Sequence, residues 1–197
     1  MNIPRVELEI KEDDQGVFAV SLVDRPAIQS DFVKLSEDDD RTLNFKTHSK
    51  LEEGYVVGFA LIPDIDIYRK IKGKEFNVYM SRETVNKSAE MFMKNQNLSE
   101  VTEQHNTKVK GCYVTESWIV EDAKNDKANI YDLNPKGGEW VIKMKIDNPE
   151  MKREIESGRM NGFSIEGIYS GMDSMFSNEL SVSDMLNDCI EKLNKIK

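Results

Sequence analysis

Two cysteines, Cys112 and Cys189, and two histidines, His48 and His105, are all that 197 residues offer of those types. The cysteines have no zinc-type spacing and are too few for a disulfide framework, which points to a soluble protein of a reducing compartment. So few histidines exclude a histidine-rich metal site. A basic surface is also missing. The 27 Lys and Arg residues against 36 Asp and Glu leave a net charge of −9, which argues against nucleic-acid and anionic-membrane partners. No apolar run is long enough to span a bilayer, and the amino terminus lacks a basic-then-apolar signal. "DAKNDKAN" lacks the spacing and glycine of a calcium loop, and the acidic run "SEDDD" reads as a solvated loop. No cofactor and no metal are expected, and no internal repeat is visible.

With 39% hydrophobic and 32% charged residues, the chain suits one globular domain with appendages. "VELEI" and "GVFAVSLV" around the turn-like "KEDDQG" predict a hairpin. A polar, acidic stretch at about 35–53, carrying His48, reads as a loop or linker. "GYVVGFALIP" is apolar almost throughout and predicts a core strand. "EFNVYM" predicts another, followed by a helix that Ser81 caps and that buries Val85, Ala89 and Phe92. The segment "QNLSEVTEQHNTKVKG" is polar and irregular, with His105 in it or at the start of the next strand. "CYVTESWIVED" alternates, so Cys112, Val114, Glu116, Trp118 and Val120 are expected on one face. "EWVIKMKI" puts Trp140, Ile142, Met144 and Ile146 on one face with lysines opposite. Asn148 as cap, Pro149 at the first position and Gly158 past the end frame a short helix.

"NGFSIEGIY" predicts a late strand, and "SVSDMLNDCIEKLNKIK" an amphipathic helix with a stripe of Leu186, Cys189, Ile190, Leu193 and Ile196. The expected fold is α+β, a β-barrel-like antiparallel sheet core surrounded by a few helices. The expected organisation is a domain over 1–172 and a C-terminal helix over 173–197.

Within "SGRMNGFSIEG", residues 157–167, Ser164 sits in a short apolar strand. A serine there is either a satisfied core hydroxyl or a group placed to react. A nucleophilic serine needs a base, and His105 is the better candidate because His48 lies in the acidic stretch. The base in turn needs an acceptor to hold its tautomer. Glu116 is a carboxylate flanked by Val114 and Trp118, costly there unless paired, so His105 is its expected partner. Alternatively, Glu116 points to solvent from an edge strand. Gly162, Gly167 and Gly171 would allow close backbone approach and free N–H groups near an oxyanion. "GFSIEG" is not the nucleophile elbow of α/β-hydrolases, because glycine does not stand two residues away on both sides of the serine: Gly162 precedes it, but Glu166 follows.

A histidine in a polar segment, then "VTESWIVEDAKNDKA", then "GGEWVIKMKIDNPEMKREIESG" and "RMNGFSIEG", in this order, resemble the tailed-phage prohead proteases, in particular the XkdF-like group of phage serine proteases. Upstream, "SLVDRPAIQSDFVKL" and "VVGFALIPDIDIYR" look like the N-terminal part of that group, so the resemblance covers roughly residues 17 to 170. It implies a herpesvirus-assemblin-like fold and a serine endopeptidase that cleaves scaffold protein and major capsid protein during procapsid maturation, and also itself. It places the protein in the host cytoplasm, inside the procapsid. By resemblance Ser164 matches the nucleophile and His105 the base. In the herpesvirus relatives the third member follows the serine, yet no histidine follows Ser164, so Glu116 is taken as the third group, with Asp122 as the lesser candidate. Resemblance also implies a homodimer or higher oligomer. The competing reading is a non-catalytic capsid-assembly or virion protein on the same fold.

Overall fold

The computed structural model describes residues 3–12, 15–24, 54–71 and 73–172. His48, the acidic stretch at 35–53 and the C-terminal helix expected over 173–197 lie outside the described residues.

Among the described residues, ten strands and two α-helices make a mixed α+β structure: β1 (Arg5–Leu8), β2 (Gly16–Val23), β3 (Tyr55–Leu61), β4 (Ile67–Ile71), β5 (Lys74–Met80), α1 (Arg82–Lys94), β6 (Val101–Glu103), β7 (Thr107–Lys108), β8 (Cys112–Ile119), β9 (Trp140–Ile146), α2 (Pro149–Glu156) and β10 (Gly162–Ile168). Among the described residues the strands form three sheets, in the orders β1-β5-β4, β10-β2-β6-β7 and β3-β9-β8. The barrel-like core expected from the sequence is therefore not a closed barrel. Nor is it purely antiparallel, because β1 runs parallel to β5 and β2 parallel to β6.

The hairpin predicted for the first two strands does not form either. β1 pairs with β5, while β2 sits between β10 and β6. The reason lies in β2 itself. Val17, Ala19, Val20, Ser21, Leu22 and Val23 are all buried, which demands neighbours on both edges and cover on both faces.

The main core gathers Val17, Val20 and Leu22 of β2, Phe163 of β10, Trp140, Ile142, Met144 and Ile146 of β9, and Val85, Ala89 and Phe92 of α1. The Phe92 and Trp140 rings meet edge to face at 5.3 Å, and Trp140 Nε1 donates to Ser117 Oγ at 2.8 Å, so the polar corner of this buried ring is satisfied. α1 starts where Ser81 Oγ accepts the Thr84 N–H. α2 starts where Asn148 Oδ1 accepts the N–H groups of Glu150 and Met151, with Pro149 in the first turn. Both match the capping residues legible in the sequence.

Candidate functional site

Ser164 lies in the third position of β10, directly opposite Ser21 of β2, which in turn lies opposite Thr102 of β6. Three hydroxyl side chains thus form one row across three adjacent strands, each about 4.8 Å from the next. Strand alternation puts Glu166, two residues beyond Ser164, on the same face. Phe163 and Ile165 alternate to the other face and pack into or against the main core. Ser164 is 6% exposed and Ser21 fully buried.

His105 reaches this row through a tight turn. β6 and β7 pair through Thr102–Lys108 and Glu103–Thr107, which leaves Gln104, His105 and Asn106 to reverse the chain. Gln104 and His105 both take left-handed conformations, with φ of 49° and 57°, a region that non-glycine residues enter at a cost. Three hydrogen bonds hold them there. Gln104 N–H donates to the Leu22 carbonyl and Asn106 N–H to the Glu103 carbonyl, both at 3.0 Å, and His105 N–H donates to Ser21 Oγ at 2.9 Å.

The imidazole then stands beside a carboxylate. His105 Nδ1 lies 3.5 Å from Glu166 Oε1, with the histidine side chain 42% and the glutamate 20% exposed. Thr102 Oγ1 donates to the same carboxylate oxygen, which fixes Glu166 against the sheet. The face therefore carries a serine, a histidine and an acid, with the acid on the Nδ1 side of the ring.

Glu116, expected as the partner of His105, is elsewhere. It lies on β8 of another sheet, where Lys127 Nζ donates to Oε2 at 2.6 Å and Lys143 Nζ to Oε1 at 3.0 Å. Hydrogen bonds from Lys127, then Lys143, hold its carboxyl below the usual carboxylate range. The cost of a carboxylate on that strand is thus met by lysines rather than by histidine. A register shift between Val114 and Glu116 explains the misreading. Cys112 and Val114 face the main core, but after the shift Trp118 and Val120 join a second cluster with Val57, Phe59 and Val141. Asp122, the lesser candidate, accepts from Lys124 N–H at 3.0 Å and Asn125 Nδ2 at 2.7 Å, and so shapes its own turn.

Sequence reasoning missed Glu166 and Ser21. For Glu166 a signal existed: "SIE" in a strand puts its first and third side chains on one face. For Ser21 none did, because its role depends on β2 lying between β10 and β6.

No curated protein and no solved structure matches the chain. A family model described as "Putative phage serine protease XkdF" matches residues 42–173, a span that includes Ser164, His105, Glu166 and Thr102 but not Ser21. That span is well over half of the chain, and the chain therefore belongs to the XkdF family of phage serine proteases.

Proposed function

We propose that the protein is a serine endopeptidase whose nucleophile is Ser164, whose general base is His105 and whose orienting acid is Glu166. The observation that carries this reading is the contact between His105 Nδ1 and Glu166 Oε1 at 3.5 Å, on the sheet face that bears Ser164. A carboxylate on Nδ1 fixes the ring tautomer and favours the imidazolium, leaving Nε2 to exchange a proton with a serine. Ser164 Oγ attacks the scissile carbonyl carbon as its proton passes to Nε2. The same proton then goes to the leaving amine as the peptide C–N bond breaks. Water hydrolyses the acyl-enzyme by the same path. No cofactor enters this scheme.

The substrates we propose are the phage scaffold protein and the major capsid protein in the procapsid, together with the protease itself. Family membership supports a phage serine protease, and the acidic chain suits a protein partner better than a nucleic acid.

Co-expression with the cognate capsid and scaffold proteins, followed by mass spectrometry of the products, tests both parts. Processing is expected with the native chain and is expected to vanish with Ser164→Ala and His105→Ala. Unchanged processing by Ser164→Ala would remove the nucleophile assignment and favour a non-catalytic assembly role.

A further inference from the structure

We infer that Ser21 is a positioning residue of the catalytic centre, holding the His105 turn in register with Ser164 through its buried hydroxyl. This rests on the serine-protease reading above and extends it to a residue outside the span matched by the family.

Ser21 is fully buried, and a buried hydroxyl must find partners. Its oxygen accepts the backbone N–H of His105 at 2.9 Å and lies 3.4 Å from the Thr102 carbonyl, to which it donates. It is also the cross-strand partner of Ser164. One side chain thus touches the backbone of the base and sits on the strand position facing the nucleophile. Such a link matters here because His105 is in a left-handed conformation, with Gln104 before it in the same region. Two successive residues of this kind are held only where their surroundings over-determine them. Of the bonds described for this turn, that from Ser21 is made by a side chain to the amide of the histidine itself. Without it, the His105 amide loses a buried acceptor and the turn loses the contact that ties it to β2. The imidazole then drifts from Glu166, and Ser164 faces a base at the wrong distance. Catalysis is steep in that distance: a misplacement of about 1 Å can cost about a hundredfold.

Ser21 does not serve as the nucleophile in this scheme. Its oxygen already accepts an amide proton, and its own proton is committed to a carbonyl.

A fluorophosphonate probe reports nucleophile activation without any need to know the substrate. With the 197-residue chain, Ser164 is expected to label, and Ser21→Ala is expected to slow labelling roughly 10- to 100-fold. Amide exchange at His105, followed by NMR, is expected to speed up in the same variant. Ser21→Thr and Ser21→Val form a matched pair of nearly equal volume, one with a hydroxyl and one without. The threonine variant is expected to label well faster than the valine variant, and this pair decides the matter even if Ser21→Ala folds poorly. Equal labelling by the threonine and valine variants, or native-rate labelling by folded Ser21→Ala, overturns the positioning role while leaving the protease reading intact. Labelling at Ser21 in place of Ser164 overturns it by making Ser21 the nucleophile. Absence of any labelling in the native chain overturns the protease reading, and this inference with it.

Discussion

At the scale of single residues, two glutamates fifty positions apart in the chain do opposite work, and exchanging each for glutamine separates them. Glu166→Gln keeps the shape but removes the charge beside His105, so Ser164 labelling is expected to fall about 100- to 10,000-fold. Glu116→Gln is expected to leave labelling within about twofold, since Glu116 and Lys143 lie on another sheet and Lys127 in the connection between that sheet's β8 and β9. Its effect is on stability. Lys127 and Lys143 hold the folded carboxyl below the ordinary carboxylate range, so the ion pair stabilises fully above the ordinary value and its contribution is lost as pH falls through the lower folded value. The side chain is about a third exposed, and solvent screening limits the loss in Glu116→Gln to about 0.5–1 kcal/mol at neutral pH. Urea unfolding at neutral and acid pH measures it, with the gap between variant and native closing in acid. Cys112 shows the converse behaviour. Burial pushes its thiol up to about 11, so at neutral pH it is un-ionised and enclosed. Alkylation mapped by peptide mass spectrometry is expected to spare Cys112 in the native chain and to modify it after unfolding.

At the scale of elements, β9 is the strand on which most depends. Its residues Trp140, Ile142, Met144 and Ile146 all enter the main core, and Trp140→Ala is expected to cost about 3–5 kcal/mol, measured as a fall in the denaturant midpoint. This strand was legible because its alternation runs unbroken from end to end. So were the starts of α1 and α2, where Ser81 and Asn148 make the hydrogen bonds their types suggest. Legibility stopped where the period broke or the partner was remote. β8 slips register at Thr115, so Glu116 left the face that simple alternation assigns to it. β6 and β7 are three and two residues long, too short for any periodicity to show, and the histidine between them read as irregular chain. Ser164 and His105 could be singled out by residue type. The spacing of Glu166 from Ser164 marked a shared face, but which carboxylate His105 reaches was not legible, because two carboxylates near apolar residues look alike until the strands are assembled. β4 went unread because Tyr68, Arg69 and Lys70 interrupt its apolar residues.

At the scale of the whole molecule, the site joins distant parts of the chain. Ser21 comes from the strand at 16–23, Thr102 and His105 from the middle, and Ser164 and Glu166 from the last described strand. A chain beginning at residue 42 keeps everything within the family span yet lacks β2, the strand that both β10 and β6 pair with. It is expected to lose Ser164 labelling entirely and to show no sharp cooperative unfolding transition, as read by circular dichroism during heating. The same pairing has a consequence for timing. A ribosome releases β2 early and β10 late, so the row of Ser21 and Ser164 cannot close until nearly the whole described chain has emerged, and such non-local pairing is also slow to find. On the proposed reading, the nascent protein is expected to stay inert toward its neighbours until β10 has emerged and paired, so that proteolytic power arrives only with the folded sheet.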